Sequence, residues 1–546
     1  MKSDDSGIKK TSRRDFLTTT AAGMATIALF RNVKGDIVTF ADGDPFPELV
    51  EVTITELQAQ MKAKKLTSRK LTEMYLERIA KIDTKTHAVL ELYPDALAIA
   101  DAMDKERKKG KVRGPMHGIP VLIKDNIDTA DTMHTSAGSL ALEDSIATRD
   151  AHIVSNLRAA GAIIIGKTNL SEWANFRSSH SSSGWSGRGG QGRNPYALDR
   201  TPSGSSSGSA GAAASSYCAV AVGTETDGSV TSPSAACSLV GLKPTIGLVS
   251  RAGIIPIAHS QDTAGPMART VTDAAILLGA LAGRDARDAT TSRNRMVGTP
   301  DYTRYLDANG LKGARIGVAR KKYTGYSASA DAAFATALLV MRDRGAVIID
   351  PADIVTAGKF DDAEYEVLLY EFKADLTAYL AGLPAGAKAR TLGDLIAFNR
   401  AHAVEEMPHF AQETFELAAK KGPLSSAGYK KALAACGRLA RTQGLDATFA
   451  KHRVDAIVAP TQGPPSLIDL VNGDSGGGSS TTPCAVAGYP AITIPMGYFR
   501  GLPLGLTFMG RAFAEPTLFR LAFAYEQATK HRVAPKYLSS AMLSSA

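Results

Sequence analysis

Thr201 to Thr245 reads TPSGSSSGSAGAAASSYCAVAVGTETDGSVTSPSAACSLVGLKPT. Glycine, serine and alanine crowd out almost everything bulky. Gly204, Gly208 and Gly211 let the backbone approach another group closely, because no Cβ stands in the way. The second turn, Gly223-Thr224-Glu225-Thr226-Asp227-Gly228-Ser229, ends on a serine just after a glycine. Its consecutive backbone N–H groups suit a nest for an oxyanion. A flexible tether is also rich in Gly and Ser. Here, however, apolar Ala219-Val220-Ala221-Val222 runs into the turn and Leu239-Val240-Gly241-Leu242 follows it, so the segment reads as packed structure.

Upstream, Val121 to Ile123 is a short buried strand that ends at Lys124, where ligand sites of α/β folds lie. Val52 to Asp83 has helical apolar spacing in two parts, with an N-cap at Thr67-Ser68. Ala88 to Tyr93 reads as a strand and Ala96 to Lys109 as a helix. Downstream, strands at Ile316–Ala319 and Ala346–Ile349 flank a helix at Ser327–Arg344, which argues for one large sheet. Residues 360–443 look helical. Val454 to Thr461 is a buried strand and its loop, Ser475 to Thr482 a Gly/Ser-rich loop. Ala491–Pro495 and Leu504–Met509 form a closing strand pair, and Glu515–Lys530 a last helix.

The quoted stretch closely resembles the signature of the amidase signature family. Matched position by position, the family's cis-peptide serine falls on Ser205 and its nucleophile on Ser229. Its lysine falls on Lys124, in Gly118-Ile119-Pro120-Val121-Leu122-Ile123-Lys124-Asp125-Asn126. Further matches are Gly166-Lys167-Thr168-Asn169, Gly241-Leu242-Lys243-Pro244-Thr245 and Gln261-Asp262-Thr263-Ala264-Gly265-Pro266. The resemblance spans roughly Val50 to Arg532, and so many ordered matches make it specific. It implies a single large α/β domain with a central mixed sheet flanked by helices, over residues 48–540.

The activity it implies is hydrolysis of a carboxamide to carboxylate and ammonia through an acyl-enzyme. Ser229 would attack, Ser205 bridge and Lys124 act as base. The N–H groups of Thr226, Asp227, Gly228 and Ser229 would form the oxyanion hole. Ser206 reads as a support for the loop. Asp227 has two readings, a ligand for a polar or cationic part of the substrate or a side chain spent on the turn itself. Glu225 stands where the family usually has Asp, Asp227 where it usually has Gly, and Thr231 where it often has Arg. Together with Ser260-Gln261-Asp262, Phe398–Ala403, Glu406-Met407-Pro408 and Asn472-Gly473-Asp474, these features resemble the peptide-amidase branch. The expected partner is thus a small amide or an amidated peptide. An amidotransferase A-type subunit that supplies ammonia to a partner, and a non-catalytic binding protein on the same fold, are the alternatives.

Two formal motif matches point elsewhere. Gly161-Ala162-Ile163-Ile164-Ile165-Gly166-Lys167-Thr168 fits the P-loop pattern, but its variable positions make a buried strand, not a loop of amides facing phosphate. Gly204-Ser205-Ser206-Ser207-Gly208 fits a nucleophile elbow centred on Ser206. Turn-like Tyr196–Pro202 precedes it where an elbow needs a hydrophobic strand. Its remaining partners would have to be an Asp and a His such as His452 or His531.

The chain has 546 residues, 44% hydrophobic and 21% charged, with net charge +9. That is an ordinary globular composition. The one long basic run, Lys105 to Arg113, has no interleaved aromatics to stack on bases, so no nucleic-acid partner is expected. Cys218, Cys237, Cys436 and Cys484 show no C-x-x-C or Cys/His metal spacing, and the ten histidines are scattered, so no metal or cofactor is expected. For these cysteines, buried thiol and disulfide both stay open. Ser12-Arg13-Arg14-Asp15-Phe16-Leu17 is a twin-arginine signature, followed by an apolar stretch from Leu17 to Phe30. That stretch is too short for a mature membrane span but suits a signal h-region. Residues 1–40 are therefore read as a signal and N-terminal extension, and the protein as exported, with the periplasm its expected compartment.

Overall fold

A computed structural model describes residues 46–294, 300–475 and 477–542. The twin-arginine segment lies outside the described residues. From Glu48 onward the chain forms one unit. It is built on eleven strands: β1 (Val89–Leu92), β2 (Pro120–Lys124), β3 (Ile163–Thr168), β4 (Val220–Glu225), β5 (Val240–Lys243), β6 (Thr263–Ala268), β7 (Arg315–Val318), β8 (Val347–Ile349), β9 (Ala456–Pro460), β10 (Ala491–Phe499) and β11 (Leu502–Met509). They lie side by side in the order β1-β3-β2-β4-β6-β5-β10-β11-β9-β7-β8. Parallel blocks β3-β2-β4 and β9-β7-β8 sit toward the two ends. Antiparallel pairs join them through the middle. The mixed sheet expected from the sequence is present, and helices flank it.

Local chemistry explains the strand order around β2. Its residues Pro120–Lys124 are all buried, as are those of β3 and β4 on either side. Burial on both faces gives the continuous apolar runs typical of parallel sheets. Helix α1 (Ser207–Ala214), made only of Ser, Gly and Ala, is buried along its whole length and packs on β2, β4 and β6. Small side chains allow that approach. A Cβ on Gly208 would run into the carbonyl oxygens of both Ala88 and Asn169. A second short helix, α2 (Thr231–Ala236), leads from β4 toward β5 and is buried throughout.

The P-loop-like segment is β3 itself, so its amides are spent in the sheet. Two readings shift. The strand before the turn continues through Glu225, which narrows the turn to residues 226–229. Thr263–Ala268, for which the sequence carried no strand expectation, forms β6 in mid-sheet. Pro266 pairs only with Val222 of β4, while β5 pairs further along with Met267 and Ala268. Proline cannot donate to a ladder, and the pairing with β5 begins only after it.

Residues 360–443 are helical as expected. They include α3 (Asp361–Ala381) and helices Leu392–Ala401, Glu413–Ala419 and Ala427–Cys436. All four cysteines are buried and free. Among the described residues no helix is long and apolar enough to cross a membrane.

Candidate active site

Three chain segments meet at the carboxyl end of β2. The strand delivers Lys124, the loop before α1 delivers Ser205 and Ser206, and the end of β4 delivers the 226–229 turn. Lys124 and Ser205 are completely buried and Ser229 is 7% exposed. Lys124 Nζ lies 2.8 Å from Ser205 Oγ, 2.9 Å from Thr224 Oγ1 and 3.4 Å from the Thr224 carbonyl oxygen. Burial pushes the amine down from an ordinary 10.5 to about 7; Asp262 and Glu225 oppose the shift without cancelling it. A neutral amine has two N–H groups and one lone pair. With both Thr224 oxygens available for the N–H groups, the lone pair is left for the Ser205 hydroxyl. The Gly204–Ser205 peptide bond is cis, as the resemblance implies.

Buried lysine alone does not mark the site. Lys167 and Lys243 are equally enclosed, and burial lowers both of their pKa values. Yet Lys167 donates to the Ile127 carbonyl at 2.6 Å and to Thr135, and Lys243 to the carbonyls of Tyr489 and Pro244. Only Lys124 of the three reaches a serine.

The turn is arranged so that its amides stay open. Helix α2 starts right after it, and Glu225 takes the first two amides of that start. Its Oε2 accepts from Val230 N–H at 2.8 Å, Thr231 N–H at 2.9 Å and the Thr231 hydroxyl at 3.1 Å. This accounts for Glu225 and Thr231 together, a carboxylate seated at a helix start with a hydroxyl as neighbour. The N–H groups of Thr226, Asp227, Gly228 and Ser229 donate to no other described residue. Gly228 has φ +77, and a Cβ there would stand 2.9 Å from Ser232 Oγ, so glycine is required. Four consecutive open amides next to a serine hydroxyl form a receptor for a developing negative charge.

Ser206 and Asp227 are both occupied. Ser206 Oγ donates to the Thr224 carbonyl at 3.0 Å and accepts from Thr224 N–H at 3.1 Å, while its own N–H donates to the Ser229 carbonyl at 3.1 Å. It therefore ties the two serine segments together, and among the described residues no histidine touches it. The Asp227 carboxyl accepts from the Thr481 hydroxyl at 2.6 Å and is pushed up to about 6, chiefly by burial. It turns toward the 480s loop.

Several residues of the site were not singled out by sequence. Asn126 donates to Thr224 Oγ1 at 3.0 Å. Asp262, pushed up to about 6 by burial, accepts the Thr226 hydroxyl at 2.5 Å. Gln261 donates to the Thr226 carbonyl at 3.3 Å and to Glu364 on α3 at 2.8 Å. Asn126, Gln261 and Asp262 stand inside the matched segments, but spacing along a chain carries no information about which loop each one grips. No Cys/His motif marks a metal site in the sequence. In three dimensions His259, Glu371 and Asp375 bring ligand-capable atoms within 4.8 Å of one another.

A family model described as Amidase matches residues 70–519. A probable amidase of Arabidopsis thaliana is 42% identical over 498 residues, covering 90% of this chain and 92% of that protein. The native peptide amidase of Stenotrophomonas maltophilia superposes with a TM-score of 0.85 at 49% identity, covering 90% of this chain and 99% of its own. The A-type subunit of a glutamyl-tRNA(Gln) amidotransferase from Thermosynechococcus vestitus is 36% identical over 498 residues, covering 87% of this chain and 98% of that protein.

Proposed function

Since the chain belongs to the amidase family and is an enzyme of amide hydrolysis, we propose that Ser229, Ser205 and Lys124 carry out that hydrolysis, on the C-terminal amide of a peptide or amino acid. The observation that carries the reading is a buried amine with a pKa of about 7, held 2.8 Å from Ser205 beside a serine that ends a run of open amides. Serine is a weak nucleophile until a neighbour takes its proton. In the proposed sequence Ser229 Oγ attacks the carbonyl carbon, its proton passes to Ser205, and the Ser205 proton passes to Lys124 Nζ. The carbonyl oxygen becomes an oxyanion held by the 226–229 amides, each such donor contributing about 3 kcal/mol to lowering the barrier. The protonated amine then returns its proton through Ser205 to the leaving nitrogen, the C–N bond breaks, and ammonia departs. Water attacks the acyl-enzyme by the same relay and releases the carboxylate.

Substrate choice is supported by the near-complete match to the Stenotrophomonas protein, whose name is peptide amidase. The Asp227 side chain hydrogen-bonds Thr481 and so leaves the amide nest to the carbonyl oxygen of whichever amide is bound. The likeness to an amidotransferase component favours one other reading, ammonia production for a partner.

One experiment separates them. The purified chain alone, given amidated and free-acid peptides, should release ammonia from the amidated set and leave internal peptide bonds intact. Ser229→Ala should abolish both turnover and labelling by a serine-directed phosphonate, while Ser206→Ala should still label. Near-normal activity of folded Ser229→Ala protein would end the assignment. Activity that needs a second protein would favour the amidotransferase reading.

A further inference from the structure

The 226–229 turn is held from below by the loop 257–262, and that loop is held by one helix. Asp262 Oδ2 accepts from the N–H groups of Ile257 and Ala258, at 2.8 and 2.9 Å, which closes the loop on itself. Its Oδ1 takes the Thr226 hydroxyl. Gln261 spans from the Thr226 carbonyl to Glu364, at the start of α3. Two and three turns further along α3 stand Glu371 and Asp375. Glu371 Oε2 accepts Ser260 N–H at 2.9 Å, and Asp375 Oδ2 accepts His259 N–H at 2.9 Å. The His259 ring then lies between the two carboxylates, Nδ1 2.8 Å from Asp375 and Nε2 3.4 Å from Glu371.

We propose that His259 is a positioning residue, which clamps the loop 257–262 to α3 and thereby sets the Thr226–Ser229 amides for catalysis. A neutral imidazole has one N–H, whereas both ring nitrogens here face carboxylate oxygens, so the arrangement calls for the imidazolium. The groups around it are Glu371 and Asp375 from α3, Tyr429, which donates to Glu371 at 2.7 Å, and Arg251, which donates to the His259 carbonyl and is paired with Asp288 at 2.7 Å. Arg251 opposes the charge, but the two carboxylates outweigh it, and the ring's pKa is raised above 6.5, first by the Asp375 hydrogen bond. The same three side chains could hold a metal ion. With Nδ1 hydrogen-bonded to Asp375 and Nε2 at ion-pair distance from Glu371, the charged bridge accounts for the geometry without one.

The clamp's effect on rate rests on the mechanism proposed above, whereas its effect on stability does not. In His259→Gln, which keeps one donor and loses the charge, kcat should fall at least fivefold and up to about a hundredfold, the scale set by a misplacement of about 1 Å. KM should change by less than about threefold, and phosphonate labelling of Ser229 should slow in parallel, because uniform binding is untouched. His259→Lys should recover most of the rate. A group whose folded pKa is raised contributes stability that is fully present below its unfolded pKa and is lost as pH rises through the folded one. The Tm deficit of His259→Gln should therefore be larger at pH 5.5 than at pH 9. Rates within fivefold of wild type, or a Tm deficit independent of pH and not relieved by lysine, would overturn the proposal. Zinc ions that raise the Tm of the wild type and not of His259→Gln would replace the clamp by a metal site and overturn it too. If the wild type hydrolyses no amide and takes no label, the mechanism fails, and the Tm comparison still decides the clamp.

Discussion

Acid should switch the enzyme off through one amine. Moving Lys124 from 10.5 to about 7 means that its surroundings penalise the charged form by about 5 kcal/mol net, burial outweighing Asp262 and Glu225, at about 1.36 kcal/mol per pKa unit. At pH 8 most of the amine is neutral; at pH 5 only about 1% is, from the same pKa of about 7. The value of kcat/KM for an amidated dipeptide should therefore fall with unit slope below pH 7, about a hundredfold by pH 5. Asp262 and Asp227 are both pushed up to about 6, so the limb is assigned with Asp227→Asn, which should keep its midpoint near 7, whereas Asp262→Asn removes a charge that holds the amine up and should move the midpoint lower. Stability reports on the same group with a known sign. Between the folded value of about 7 and the unfolded 10.5, the unfolded chain holds a proton that the folded one lacks. Stability should climb with pH across that window, by about 1.4 kcal/mol per unit from this residue. In Lys124→Met, activity should drop by several powers of ten and this contribution to the climb should vanish. Ammonia release between pH 5 and 9 and Tm between pH 7 and 10 are the measurements. Wild-type activity that stays level down to pH 5, or an unchanged climb in the methionine variant, would refute the neutral-lysine argument.

Glu225→Ala should lower stability by about 1–2 kcal/mol in urea unfolding, because Val230 and Thr231 lose their acceptor at the start of α2. It should also lower kcat, since those amides then compete for the same space as the turn. Gly228→Ala should cost at least about 1 kcal/mol through its positive φ and its clash with Ser232, and should slow labelling of Ser229. Glu172 and Glu406 meet in the interior, and burial first, then opposing Arg177 and reinforcing Glu406, set the Glu172 pKa well above its ordinary value. That contribution to stability is present below the ordinary carboxyl range and lost as pH rises, so Glu406→Gln should flatten the alkaline decline of Tm. Replacing Arg13 and Arg14 by lysine should retain the protein in the cytoplasm on cell fractionation; an unchanged distribution would remove the signal reading.

Much of this protein is readable along the chain because its physical causes are local. Small residues from Gly204 to Gly211, with apolar runs after them, mark close-packed structure and not a tether, although the helix at Ser207–Ala214 emerged only in the fold. Apolar runs bounded by turns, as at Val121–Ile123 and Ala219–Val222, can only be buried strands, and a serine after Gly228 ends a turn whose amides face one way. Those features, joined to the family resemblance, mark Lys124, Ser205 and Ser229 from the sequence alone. What the chain could not convey is which side chains spend their hydrogen bonds on one another. Lys124, Lys167 and Lys243 each follow apolar residues, and only the packing of β2 against β4 separates the one facing Ser205 from the two facing carbonyls. Strand β6 was hidden by Gly265 and Pro266, which oppose strand formation locally, and it forms because β4 and β5 pair with it from either side. The bridge from His259 to α3 joins residues more than a hundred positions apart. Burial, pairing and open amides depend on distances through space, so tertiary structure alone decided which matched residues meet around Lys124 and which pair elsewhere.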